Sequence, residues 1–433
     1  MNSRSKVLAV LFSAMILVAG CGNNAPQDEG QKADDNENNQ PVVLTLYQKG
    51  AKLSDEEFRT MIVEPVKQKY PHITIELIRT GKNNEPADLV ASGQLPDMAF
   101  VSPGALTEFQ KLQVTDDMSP YVKKYNLDLN KFDQNPFTTI YNICGAGKLC
   151  ALPFSINPGA MFYNKDIFDK FAVPYPKDGM TWDDAIEVAR KVTRLSDGVQ
   201  YKGLNTGQIG WIATQLSTPR VDPATNMANL LHNDFQIMLQ KFKEINDIPG
   251  NKRSGDAVNG FLQTQDTAML TYLLGGTIGP LVEMHRAGKA FNWDMVSIPT
   301  FKEAPKKSYD SDAHLLMMSA KSPHKDEVFK VMQVLTDTPN QTKITQYGRV
   351  TSLNDSTVKR RFGELEPALK GKNIQAIYIN EPANVPFHEY NGLVNNALAD
   401  ALRDIMNGTK DVNTALRDAQ DAANAAIRSA MNQ

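Results

Sequence analysis

The chain has 433 residues, 41% of them hydrophobic and 22% charged, and a formal net charge of −3. That mild acidity speaks against a nucleic-acid binder, whose contact face is basic. Six scattered histidines and three cysteines offer no metal-ligand spacing, and a length above about 300 residues exceeds one hydrophobic core, so two domains are expected.

Arg4 and Lys6 precede an apolar run, Val7–Val18, and then Ala19-Gly20-Cys21. Twelve apolar residues are too few to span a bilayer, which takes about 20, so the segment 1–20 reads as an export signal. Val18-Ala19-Gly20-Cys21 resembles a bacterial lipobox. The resemblance implies cleavage after Gly20 and a lipid on the Cys21 sulfur; the plainer alternative is an ordinary signal peptide with an incidental cysteine. Loss of Arg4 and Lys6 would take the net charge from −3 to −5. No second stretch approaches membrane length, so the chain is not itself a permease. Residues 21–40 contain no large apolar side chain and read as a flexible tether, with a reach of roughly 25 Å.

The body begins with a strand, Val42–Leu46. Ser54 followed three residues later by Glu57 forms a capping box that opens a helix with Phe58, Met61 and Ile62 on one face. Ile73–Leu77 alternates as a strand, and Met98–Val101 is another. Strands alternating with helices predict α/β layering around a parallel sheet.

Residues 144–150 read CGAGKLC. A phosphate loop needs G-x-x-x-x-G-K-[ST], but Asn142 and Leu149 occupy two of its required positions. A metal site lacks further ligands, since no histidine lies within sixty residues on either side. The flanks read as short strands, which predicts a β-hairpin with Cys144 and Cys150 facing each other across it. If the chain is exported, the pair sits in an oxidising or unprotected space and would form a disulfide; in a reducing or Gram-positive surface setting two free thiols are the alternative.

The middle of the chain is more helical. Thr181-Trp182-Asp183-Asp184 caps a helix that shares Ala185, Ile186, Ala189 and Val192 on one face. Further helices are expected over 226–246, 256–264 and 325–337. Leu315–Met318 reads as a buried strand. Two apolar stripes close the chain, Ala397 to Met406 and Leu416 to Ile427.

Taken in order, DLVASGQLPDMAFV (88–101), ALPFSINPGAMFYNKDIFDKF (151–171), TWDDAIEVARKV (181–192), FLQTQDTAML (261–270), SIPTF (297–301) and MMSAKSPHKDEVFKVMQVL (317–335) resemble the family 1 extracellular solute-binding proteins of ABC importers, the group that includes maltose-binding protein. Phe162–Asp166 followed by Thr181-Trp182 is the most specific part of the match, which extends over the mature chain. The resemblance implies a type II periplasmic-binding-protein fold: two α/β lobes, each a mostly parallel sheet flanked by helices, joined by a hinge of several crossovers. By analogy the crossings lie near 153–157, 309–312 and 349–352. Lobe 1 would be 41–154 with 311–350, and lobe 2 would be 155–310 with 351–433.

The same resemblance implies a carbohydrate ligand, an oligosaccharide being the expected form, and delivery to a membrane permease by a lipid-anchored monomer on the outer side of the cell membrane, without catalysis, cofactor or metal. A surface sensor that presents its ligand to a membrane kinase, or a protein for a non-sugar solute, would use the same cleft. Aromatic faces and hydroxyl-pairing groups suit sugars. Candidate contacts are Tyr47 and Gln48 after the first strand, Ser102 after the strand ending at Val101, and Ser155 and Asn157 at the first crossing. Trp211 in GQIGWIATQ is expected to stack on a sugar, whereas Trp182 and Trp293 read as core. Tyr272 with Gly275 and Gly276, and His388 with Tyr390, complete the set. His314 and Arg349 lie near crossings, where they would either tie the hinge or touch ligand. No local arrangement marks a glycosidase carboxylate pair, and no serine or zinc hydrolase motif is present.

Overall fold

The computed structural model describes residues 40–145, 147–252, 257–310, 312–385 and 388–432. The export signal 1–20, Cys21 and the tether up to residue 39 lie outside the described residues. Pro41 to Gln433 form one compact unit.

Thirteen strands run in chain order: β1 (Val42–Lys49), β2 (Ile73–Arg79), β3 (Met98–Val101), β4 (Ala151–Ile156), β5 (Gly159–Asn164), β6 (Arg194–Ser196), β7 (Val199–Thr206), β8 (Thr267–Leu273), β9 (Trp293–Ser297), β10 (Lys307–Asp310), β11 (Ala313–Met318), β12 (Val350–Thr351) and β13 (Glu381–Ala383). They form a six-stranded sheet, β12-β4-β11-β3-β1-β2, a five-stranded sheet, β6-β7-β8-β5-β9, and the pair β10-β13. Each large sheet carries its own core. The first core draws on residues 44–154 and 313–353. The second sheet is covered by one cluster spanning 161–309 and 394–427 and by another spanning 160–295 and 350–377. These are the two lobes.

The sheets are mixed, not mostly parallel as expected. β1 is parallel to β2 and β3, β7 to β8, and β10 to β13. The remaining pairs are antiparallel. The reason lies in the crossings. β4 carries the chain to the lobe boundary, and β5 receives it there and runs away from the boundary. β10 and β11 repeat the arrangement in the opposite sense. A receiving strand therefore opposes the neighbours that reach the boundary.

Local chemistry accounts for the elements around these sheets. The Ser54 hydroxyl accepts from the Glu57 amide, and Glu57 returns a carboxylate to the Ser54 amide at 2.8 Å, so the expected capping box is formed. Its helix passes into a π-helical stretch at Phe58–Val63, with Met61 and Ile62 buried. Thr181 caps Trp182–Val192 in the same manner, and Ala185, Ile186, Ala189 and Val192 are all buried. The helix expected from residue 226 begins only at Asn233, where the His232 side chain accepts from the Asp234 amide; before it, Val221 and Ala228 form a β-bridge.

The CGAGKLC stretch is not a hairpin. Ile143 and Cys144 end a helix, Asn135–Cys144, whose buried positions Phe137, Ile140 and Ile143 recur every three residues. Gly145, at φ 93°, takes the chain out of that helix. A disulfide joins Cys144 to Cys150 with Cα atoms 5.8 Å apart, so the bond staples a helix end to the approach of β4. Among the described residues no helix is long and apolar enough to cross a membrane.

Candidate functional site

A cavity of about 190 Å³ lies at the boundary of the lobes. From the first lobe it receives Pro103, at the start of the helix Pro103–Lys111, and Thr139, from the helix Asn135–Cys144. Gln208, Trp211, Thr214 and Arg220 come from the segment after β7, and Leu273 from the end of β8. Tyr309, Asp310 and Asp312 stand at the β10–β11 crossing. Asn391 and Asn395 enter from the helix Asn391–Met406, where a spacing of four puts them on one face.

The segment 207–220 folds around its own hydrogen bonds. Thr214 Oγ1 donates to the Trp211 carbonyl at 2.6 Å and accepts from the Asp310 amide at 2.8 Å, which fixes the turn against the crossing. Arg220 Nη1 donates to the Gly210 carbonyl at 2.8 Å. The crossing approaches β5 closely: a Cβ at Gly159 would sit 2.4 Å from the Tyr309 ring, so only glycine fits there. Arg220 Nε and Asn395 Oδ1 are buried without a hydrogen-bond partner, and both residues line this cavity; the Tyr309 hydroxyl is paired with Thr271. Buried polar atoms are nearly always paired, so two unpaired ones in the lining of one cavity suit a polar ligand there. Among the described residues no group of His, Cys, Asp and Glu gathers to hold a metal ion.

Burial shapes the charges. Desolvation raises the Asp312 carboxyl to about 6, against a hydrogen bond from Asn157 that lowers it and the nearby Asp310 charge that raises it further. Arg220 is lowered from its ordinary value by desolvation, opposed by Asp310.

Trp211 lines the cavity and is half-buried, while Trp182 and Trp293 are both only 2% exposed. The other sequence candidates are not in its wall. Tyr47 is fully buried in the first lobe's core, edge-on to Phe109, and its hydroxyl donates to the Asn84 carbonyl at 3.0 Å. Gln48 is buried and accepts from the Leu53 amide. Ser102 caps the helix whose next residue, Pro103, reaches the cavity. Tyr272 is the neighbour of the wall residue Leu273 and faces Trp211. His388 sits against Asn226, and the Tyr390 amide donates to His388 Nδ1; the late segment meets the cavity through Val385, Asn391 and Asn395.

Ser155, Asn157, Gly275, His314 and Arg349 form a band of polar contacts at the crossings. Asn157 Nδ2 donates to Asp312 Oδ2 at 2.8 Å, and Asn157 Oδ1 accepts from the Gly275 amide at 2.7 Å. One side chain thus links the first crossing to the second and to the turn after β8. A Cβ at Gly275 would lie 3.0 Å from both Asn157 and His314, and one at Gly276 would lie 2.6 Å from the Tyr272 ring. Arg349 Nη1 lies 3.1 Å from His314 Nδ1. A guanidinium only donates, so Nδ1 accepts and His314 is neutral with its proton on Nε2. Desolvation and the Arg349 charge push His314 down to about 3. Ser155 Oγ is 3.4 Å from the same nitrogen. Arg349 Nε also donates to Glu57 at 2.7 Å.

The model of the bacterial extracellular solute-binding protein family matches residues 51–342, more than half of the chain. The chain belongs to that family. Solute-binding relatives include the sn-glycerol-3-phosphate-binding periplasmic protein UgpB of Rhizobium meliloti, 24% identical over an alignment of 340 residues that covers 72% of this chain and 75% of that protein. The fold matches an ABC substrate-binding protein from Listeria monocytogenes in complex with cycloalternan, with a TM-score of 0.72 at 17% identity over 90% of this chain and 99% of that one. It also matches a solute-binding protein from Thermotoga lettingae bound with α-D-tagatose, with a TM-score of 0.68 at 16% identity over 89% and 99%. The family resemblance and the two-lobe α/β fold read from the sequence therefore hold. For a solute-binding protein the inter-lobe position of the cavity has a direct meaning: a ligand that touches both walls favours the closed arrangement of the lobes.

Proposed function

We propose that this solute-binding protein captures a carbohydrate in the inter-lobe cavity and delivers it to the membrane permease of an ABC importer. The observation that carries the reading is the combination of a half-buried indole, Trp211, with the polar groups of Arg220, Asp310 and Asn395 in the lining of the same cavity. An apolar ring face suits sugar C–H surfaces, and the amide, carboxylate and guanidinium groups suit hydroxyls. Relatives named for glycerol 3-phosphate and neighbours described with cycloalternan and tagatose are consistent with it. At about 190 Å³ the cavity is smaller than the roughly 300 Å³ at which pockets for drug-sized ligands begin. It suits a small sugar, or one unit of an oligosaccharide whose remaining units lie outside it.

The proposal includes a lipid on Cys21, a tether to residue 40, lobes of 41–154 with 311–350 and of 155–310 with 351–433, and action as a monomer without catalysis. A thermal-shift screen against mono-, di- and oligosaccharides, with amino acids, metals and short peptides as controls, tests it. A ligand at a hundred times its Kd stabilises the native state by about 2.7 kcal/mol. A rise in melting temperature with one glycan series is expected; a rise only with a peptide or a metal contradicts the carbohydrate reading.

A further inference from the structure

We propose that the cavity selects a polyhydroxy solute bearing an oxyanion, a carboxylate or a phosphate, and that Arg220 receives that group. This rests on the carbohydrate reading and narrows it.

Arg220 is 9% exposed and lines the cavity. A guanidinium carries five N–H donors, yet Arg220 directs one hydrogen bond, from Nη1 to the Gly210 carbonyl, and its Nε has no partner. Among the described residues no carboxylate forms an ion pair with it. Asp310 is close enough to favour its charge electrostatically but does not pair with it. Burying an unpaired charge is costly, and the cost falls when a counter-charge arrives with matching geometry. A sugar hydroxyl would satisfy a donor but leave the charge; a carboxylate or phosphate satisfies both, because its oxygens match the planar fork of the guanidinium. The surroundings specify the rest of the solute. Asp310 and Asp312 offer acceptors, Asn391 and Asn395 offer both donors and acceptors, and Trp211 offers an apolar face. The two carboxylates keep the wall from being a general anion trap, so a bare anion such as sulfate is expected not to bind.

The test is calorimetric titration of the purified protein with matched pairs: glucose against glucuronate and glucose 6-phosphate, galactose against galacturonate, and glycerol against glycerol 3-phosphate. The expected result is that one acidic member binds roughly tenfold to hundredfold tighter than its neutral parent, the size of a charged hydrogen bond. The carboxylate and phosphate arms decide between the two oxyanions. Arg220→Gln is expected to weaken the acidic member far more than its neutral parent, so that the preference is lost, and Arg220→Lys to keep part of it. Melting temperatures without ligand report whether each variant folds; if Arg220→Gln does not, the wild-type pairs and Arg220→Lys decide. Neutral parents bound as tightly as their acids, or an Arg220→Gln loss equal for both, would overturn the inference and leave the carbohydrate reading standing. Binding of no carbohydrate, neutral or acidic, would remove both.

Discussion

Trp211 meets Tyr272 edge to face, with ring centroids 5.0 Å apart and planes at 86°. On another side the indole lies so close to Gly207 that a Cβ there would sit 2.8 Å from it. The ring is thus held in one orientation, with its remaining surface in the cavity wall. Trp211→Ala should weaken carbohydrate binding about tenfold or more, the scale of losing a buried aromatic contact, and lower the melting temperature only slightly. Titration calorimetry with melting curves checks both; unchanged affinity would remove Trp211 from the site.

The Asp312 carboxyl gives the wall a pH dependence of defined sign. Its folded value, about 6, lies above the ordinary 3.8. A group raised in this way contributes stability that is fully present below the unfolded value and is lost as pH rises through the folded one. His314 acts oppositely: with a folded value of about 3 against 6.5, its contribution is present above 6.5 and lost as pH falls toward 3. Comparing Asp312→Asn with the wild type cancels the His314 contribution. The variant should melt higher than the wild type at pH 7 to 8, and the gap should close by about pH 4. Its ligand affinity should fall, since Asp312 lines the cavity.

Arg349 holds Glu57 from the far end of the first lobe's fold. Burial raises the Glu57 carboxyl, and the Arg349 charge and hydrogen bond, with the hydrogen bonds from Ser54, more than offset this, so it stays below the usual carboxylate range. Arg349→Leu would leave that carboxylate mostly buried and unpaired, at a cost of about 3 kcal/mol. Arg349→Leu combined with Glu57→Gln should cost less than the two single changes added. Denaturant unfolding of the four proteins measures the coupling, and strict additivity would contradict it.

The Cys144–Cys150 bond closes a short loop, which limits its contribution to about 2 kcal/mol. Replacing both cysteines with serine should lower the unfolding midpoint accordingly. Neither cysteine lines the cavity, so ligand affinity should not change; a large loss of affinity would show that the staple positions Thr139 on its helix.

Much of the fold was legible because its signals are local. The boxes at Ser54–Glu57 and Thr181–Asp184 are four-residue patterns, and the helical segments they open bury the residues that share a face. Trp182 was separable from Trp211 because it follows a cap and begins an amphipathic run, while Trp211 sits in a four-residue helical turn with no stripe. The CGAGKLC stretch reads as a hairpin only because its glycines are turn-prone; the three-residue spacing of Phe137, Ile140 and Ile143 before it is the helix signal. The cavity was only half visible. Ser102 and Tyr272 each stand one position from a wall residue, an offset set by helix and strand phase. Asp310 and Asp312 were findable as acids within the 309–312 crossing. Arg220, Asn391 and Asn395 carry no sequence signal, since only the tertiary fold brings their segments together.

The most direct measurement is intrinsic fluorescence during carbohydrate titration. Of the three tryptophans, Trp182 and Trp293 are buried in the lobe cores and Trp211 alone lines the cavity. A saturable change in emission that disappears in Trp211→Phe is the predicted result. Saturable binding that leaves Trp211 emission unchanged, or no carbohydrate binding at all, would contradict the assignment of this cavity as the carbohydrate site.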